Sequence, residues 1–225
     1  MALPAYLFIM IRRISSYQFI PALEEEEMSV PATLIKDLRE KTGAGVIECR
    51  DALAKFECDI EKASDFLRQK GKEIAEKKKD RTAKEGIVES YIHAGGKVGV
   101  LIEINCETDF VARNEEFVNM AKELALQVAA MNPAYVSRES IPEEIRKEHE
   151  DLFRRMAKEE KKPDSIVEKI TEGRMEKYFA ENCLLDQSYI RDEDKKVKDV
   201  VSEVVGKLRE NIVVRRFARF DIKEQ

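Results

Sequence analysis

The sequence predicts an α+β fold: a three-helix unit first, then a helix-rich domain built on a three-stranded antiparallel sheet. Three observations carry this. Apolar residues recur at spacings of three and four along most of the chain. Two β-rich segments, GIVESYIH and KVGVLIEINC, are joined by Ala94, Gly95 and Gly96, a hairpin signal. A third, NIVVRRFARFDI, stands near the C-terminal end. A hairpin plus one distant strand, packed on helices, gives that architecture.

The elements follow in order. Leu34, Ile35 and Leu38 share one face of a helix over 31–42, and Gly43 ends it. A second short helix follows Gly45, with Ile47, Cys49, Ala52, Leu53 and Phe56 as its apolar positions. Asp59 can cap a third, in which Ile60, Ala63, Phe66 and Leu67 recur at helical spacing and which Gly71 is expected to stop. Residues 72–85, KEIAEKKKDRTAKE, are almost wholly charged and read as a solvated linker. After the hairpin, Asn114 can cap a helix carrying Phe117, Met120, Ala121, Leu124, Val128 and Met131, ended by Asn132-Pro133. Pro142 opens a helix running to about residue 161, and Pro163 opens another with Ile166, Val167, Ile170 and Met175 inward. LLDQSYI is a short irregular or extended piece, and Asp194 starts a regular helix with Val197, Val200, Val201, Val204, Val205 and Leu208 on one face. The domain boundaries that result are 28–71 for the three-helix module, 72–85 for the linker and 86–225 for the α+β core.

Residues 1–27 stand apart. ALPAYLFIMIRR holds an apolar run too short to span a bilayer. Its arginines follow that run, whereas a secretory signal carries them before it, and PALEEEE is too acidic for a mitochondrial presequence. Regular patterning begins at Met28, so 1–27 reads as a disordered extension or a mis-assigned start.

Composition excludes several function classes. With 38% charged residues, 7% aromatics, no Trp and a net charge of −5, no global basic field draws the chain to nucleic acid or to an anionic membrane. The one concentrated basic run, Lys77, Lys78, Lys79 and Arg81 around Asp80, reads as a solvated helix end. The four cysteines lack CxxC spacing and the two histidines are far apart, so no zinc site is legible. Too few cysteines for a disulfide framework point to a reducing, cytoplasmic compartment. There is no GxxxxGK[ST] and no GxGxxG after a strand, so neither bound nucleotide nor another cofactor is expected. Cys106 and His93 lie on paired strands and could form a nucleophile–base pair, but no orienting group or oxyanion device accompanies them. His149 sits among Glu148, Glu150 and Asp151 and reads as solvated.

Two stretches resist a purely structural account. In TGAGVIECRDAL, residues 42–53, the adjacent apolar Val46 and Ile47 point about 100° apart on a helix. Either both enter a small core or one stays exposed. In CETDFVARNEEF, residues 106–117, Thr108, Asp109, Phe110 and Val111 occupy a corner between a strand and a capped helix. Either Phe110 staples back onto that helix or it is displayed.

These two stretches resemble bacterial translation elongation factor Ts, short form. TGAGVIECRDAL is similar to the family's N-terminal signature, INCETDFVARNEEF to its second, and NIVVRRFARF to its C-terminal strand. The likeness runs in family order from about Thr33 to Phe220. It implies that the three-helix module is ubiquitin-associated-like and that the chain is a guanine nucleotide exchange factor for elongation factor Tu. It implies that Thr108, Asp109, Phe110 and Val111 form a wedge that disturbs the partner's Mg²⁺, and that Arg39, Val46 and Ile47 rest on the partner's nucleotide-binding domain. No chemical catalysis and no cofactor of its own are implied. The paired residues at 46 and 47 are often methionines in longer members. The chain has room for one core half, and short members resemble a half-unit completed by a symmetric homodimer, expected here through the sheet domain. Cys183, followed by Leu184 and Leu185, could lie near that partner. Two rivals remain: a non-catalytic adaptor, which has no need of Asp109-Phe110, and an RNA binder, which the acidic remainder of the chain opposes.

Overall fold

The computed structural model describes residues 30–160 and 163–223; the extension read at 1–27 lies outside the described residues. Within them the chain is α+β and helix-rich, with eight α-helices and a three-stranded antiparallel sheet. Helices α1 (Ala32–Thr42), α2 (Val46–Lys55) and α3 (Ile60–Lys78) come first. Leu38, Cys49, Ala52, Leu53, Ala63 and Leu67 close a small core between them. Gly43 takes a left-handed conformation, φ 66°, at the end of α1, and Asp59 caps α3 by accepting from Lys62 N.

Strands β1 (Glu85–Ile92) and β2 (Val98–Cys106) form the hairpin, and β5 (Val213–Asp221) pairs with β2, giving the order β1-β2-β5. Strand alternation puts Val100, Ile102, Ile104 and Cys106 of β2 on the inner face. There they meet Phe117, Met120, Leu124 and Val128 of α5 (Glu115–Met131) and Val197, Val204 and Val205 of α8 (Val197–Leu208). The helices α6 (Glu143–Glu159) and α7 (Asp164–Asn182) form a hairpin with its own cluster of Ile141, Met175, Phe179 and Cys183. Arg138 fastens this hairpin to the core. Its guanidinium reaches Asp186 at 2.9 Å and Glu176 at 2.7 Å and lies 4.6 Å from the Phe179 ring centre. Burial pushes the Asp186 carboxyl up, but bonds from Arg138 and Lys198 outweigh it and hold it below the usual range.

Several expectations are corrected. Gly71 does not stop α3, which runs on to Lys78 through much of the charged stretch. The reason is packing: a Cβ on Gly206 of α8 would sit 3.1 Å from the Gly71 Cα, so the two helices cross backbone against backbone. Asp194 does not start α8; Asp192–Lys196 forms strand β4, paired with β3 (Ser188–Tyr189), and the helix begins at Val197, where Asp199 accepts from Lys196 N. Ile166 and Met131 face outward at 43% and 45% exposure, beyond the edges of their helices' buried stripes. His149 is half-buried, its ring 4.2 Å from that of Tyr178. Cys183 is fully buried in the α7 cluster, and burial pushes its thiol up to about 11.

The glycine crossing makes a directional prediction. A Cβ at Gly71 would meet only Ser202 O, at an ordinary 3.8 Å, so Gly71→Ala gains about 1 kcal/mol of helix propensity. Gly206→Ala gains the same but overpacks the crossing, at about 1–3 kcal/mol. Thermal denaturation is expected to place Gly71→Ala above and Gly206→Ala below the unsubstituted chain; the reverse order would show that the helices do not meet there.

Candidate functional site

The corner after β2 is a single helical turn, α4 (Asp109–Ala112), where the sequence suggested a loop. Thr108 begins it in extended backbone, and its hydroxyl accepts from Val111 N at 3.3 Å. The turn divides its apolar residues. Val111 and Ala112 are each 7% exposed and join the sheet core, whereas Phe110 is 80% exposed. Phe110 therefore does not staple back, and Val111, grouped with it from sequence, is an anchor. Asp109 is exposed and bonds Arg113 across one turn at 2.9 Å. Asn114 then caps α5 by accepting from Glu116 N.

The corner is braced from the far end of the chain. The Glu210 carboxylate, in the α8–β5 connection, accepts from Glu107 N at 3.1 Å, from Thr108 N at 3.0 Å and from the Thr108 hydroxyl at 2.7 Å. In return Glu107 accepts from Asn211 N at 2.7 Å. The buried Asn211 amide donates to the carbonyls of Lys79 and Arg81, just beyond α3. Arg209, at φ 59°, reaches Glu48 of α2 at 2.5 Å. Three consecutive residues thus tie down α2, the corner and the exit of α3. Sequence reasoning missed them, since side chains more than 100 positions apart in the chain leave no local signal.

Cys106 lies beneath the corner and donates its thiol to Thr108 O at 3.1 Å. Burial, with the Glu210 charge adding to it, pushes that thiol up to about 11, so it stays protonated at neutral pH. The Cys106–His93 pair fails on geometry too. Cys106 pairs with Glu85, eight residues before His93 on the partner strand, so the two sit at opposite ends of the hairpin, roughly 26 Å apart at 3.3 Å per residue.

The second group lies on the first two helices. Val46 and Ile47 open α2 and are 50% and 65% exposed, so neither enters the small core. Arg39 is exposed on α1. Lys207, in the last turn of α8, connects the two groups: its stem covers Gly43 and its ammonium lies 3.0 Å from Glu116 at the start of α5. Behind the TGAG turn a cleft of about 260 Å³ opens between α3 and α8. Its cations pair with acids, Lys70 and Arg209 with Glu48, and Arg68 and Lys195 with Glu203. It is a salt-bridged seam between the helical unit and the core. No helix among the described residues is long and apolar enough to cross a membrane.

The corner and the start of α2 both hold exposed apolar side chains, Phe110 on the one and Val46 and Ile47 on the other. The comparisons with known proteins give the family. The family model Elongation factor TS matches residues 32–224. The chain is 54% identical over 192 residues to elongation factor Ts of Caldanaerobacter subterraneus subsp. tengcongensis, covering 85% of this chain and 96% of that one. It is 52% identical to the elongation factor Ts of Thermodesulfovibrio yellowstonii (87% and 97% covered) and of Thermotoga neapolitana (88% and 100% covered). The chain belongs to the elongation factor Ts family, a family of protein biosynthesis.

The division of labour within α4 is testable by stability alone. Phe110→Ala is expected to shift unfolding free energy by less than about 0.5 kcal/mol, as for a surface site. Val111→Ala, which empties buried volume, should cost about 1–3 kcal/mol. Denaturant titration reads both, and a large loss from Phe110→Ala would place its ring inside the fold.

Proposed function

We propose that the chain is a guanine nucleotide exchange factor for elongation factor Tu, acting without chemical catalysis. The observation that carries this reading is Phe110: a large apolar side chain, 80% exposed, on a corner whose backbone is fixed. An exposed aromatic has no use in the free protein. Entering an apolar pocket on a partner, it supplies on the order of 2 kcal/mol from burial.

The partner's chemistry makes that energy effective. A GTPase holds GDP through phosphate contacts and through Mg²⁺, which requires near-ideal octahedral geometry. A displacement of its ligands weakens the metal steeply, and with it the nucleotide. In this reading Phe110 drives the displacement and Val111 and Thr108 hold the turn that carries it. Asp109 keeps the turn in shape or accepts hydrogen bonds from the partner, without touching the metal. By linkage, a factor that weakens nucleotide is itself weakened when nucleotide returns, so incoming GTP releases it.

The ubiquitin-associated-like module, residues 28–71, supplies affinity through Arg39, Val46 and Ile47 on the partner's nucleotide-binding domain. The 86–225 domain carries the wedge and completes itself as a homodimer. Support for the dimer comes from the outer face of the sheet, where Val88, Ile92, Leu101 and Phe220 are 66%, 68%, 47% and 69% exposed and Ile222 beyond β5 is 72% exposed. Such a face is larger than a scatter of single apolar residues requires, and a two-fold axis would bury it against itself. The factor works in the cytoplasm, where its partner is found.

The test is release of labelled GDP from purified elongation factor Tu. The chain is expected to accelerate release, and Phe110→Ala to cut that acceleration at least about tenfold, and about thirtyfold if all of the ~2 kcal/mol of burial energy is lost. An unchanged rate in the variant removes the wedge from the mechanism.

Assembly is tested separately. Light scattering on the reduced chain at micromolar concentration should give twice the 25.9 kDa chain mass, and Phe220→Lys should shift it toward one. A single-chain mass for the unsubstituted protein rules out the sheet-face dimer.

A further inference from the structure

We infer that Glu210 is a positioning residue for nucleotide exchange: it fixes the direction in which the corner presents Phe110, without itself meeting the partner. The inference rests on the exchange reading above. It starts from an asymmetry in how the corner is held. From below, the Cys106 thiol bonds Thr108 O and Val111 enters the core. From the side, a single carboxylate accepts from Glu107 N, Thr108 N and the Thr108 hydroxyl.

The Thr108 hydroxyl works in two directions. It donates to Glu210 Oε1 and accepts from Val111 N. Its rotor is therefore set by Glu210, and the helical turn carrying Phe110 is set by the rotor. Without the carboxylate, two backbone amides and the hydroxyl lose their partner and turn to water; Val111 in the core and the Ala112 N bond to Thr108 O still hold the turn, but its entry is no longer fixed from the side. The Phe110 side chain is 80% exposed, so the aim of its ring depends on the backbone beneath it.

Glu210 is itself located by its neighbours. Arg209 is held by Glu48 of α2, and Asn211 is buried on the carbonyls of Lys79 and Arg81 and donates to Glu107. The exposed positions on α2 and the corner are therefore referred to one short segment. An aromatic that must displace a partner element needs this reference. A misplacement near 1 Å is enough to cost up to about a hundredfold in rate where geometry decides the outcome.

The experiment measures GDP release from elongation factor Tu against factor concentration, separating the maximal rate from the half-saturating concentration. In Glu210→Ala the maximal rate is expected to fall about tenfold, with the half-saturating concentration within about twofold of the parent's, since α1 and α2 are untouched. Glu210→Gln can keep its carbonyl oxygen on the two amides and turn its NH₂ to the Thr108 hydroxyl, so it should retain at least about half the maximal rate. A merely structural role would not give this split or this rescue. An unchanged maximal rate in Glu210→Ala overturns the inference, as does a loss in the half-saturating concentration alone or a Gln variant as poor as Ala. If Glu210→Ala does not fold, Glu210→Asp decides: it keeps the charge but, one methylene shorter, cannot span the site. Its maximal rate should fall, and a parental rate overturns the inference. Phe110→Ala run alongside separates the two levels. If the parent chain does not accelerate release, or Phe110→Ala acts like the parent, the exchange reading itself fails. If Phe110→Ala is impaired and Glu210→Ala is not, only the role of Glu210 fails.

Discussion

The mutual clasp between Glu107-Thr108 and Glu210-Asn211 is the constraint on which the rest of the structure depends. Each side supplies a carboxylate and each receives it on backbone amides. Hydrogen bonds with one charged partner are about twice as strong as neutral ones, and the buried Asn211 adds two more to carbonyls beyond α3. Leaving the buried Asn211 amide unpaired would cost about 1–3 kcal/mol. The clasp also fixes geometry. It joins the end of β2 to the start of β5 at the point where both leave the sheet, and it brings the exit of α3 to the same point. The helical unit is then held against α8 by the glycine crossing and the salt-bridged seam, so α2 and the corner are both tied to the core.

The regular parts of this fold were legible because their causes are local. Helical periodicity marked α1, α2, α5 and α8, and Asp59, Asn114, Gly43 and Asn132 act at helix ends where their side-chain chemistry or tolerance of positive φ places them. The hairpin followed from β-rich runs flanking paired glycines, and the antiparallel order from the lone third strand. What was not legible had distant causes. Gly71 looks like a terminator until Gly206, 135 positions later, is placed beside it. Asp194 looks like a helix cap until β3 claims β4 as a partner.

The site divides along the same line. Its motif residues stood out because an apolar pair at a corner is unusual wherever it occurs. The separation of Val111 from Phe110 was invisible without knowing that residues 109–112 form a helical turn, which rotates neighbours by about 100°. Glu210 was invisible for a different reason. Glutamate in a charged chain carries no signal, and its importance arises only from three donors that arrive from 102 and 103 positions away.

The exposed Phe110 also states how energy must flow if the corner is to act on a partner. Displaying a phenyl ring forgoes on the order of 2 kcal/mol that burial would have contributed to folding. That amount is recovered only when a partner encloses the ring. On a soft mount, the corner would bend to meet the pocket and the recovered energy would appear as affinity alone. On a mount fixed by Val111 beneath, the Thr108 rotor within and Glu210 beside, the partner's pocket must move to meet the ring. A ligand shifts an equilibrium only by its differential affinity for two states. In the exchange reading proposed above, rigidity at this corner would make the factor's affinity differ between partner states, and so would convert an apolar contact into a change in the partner's metal site.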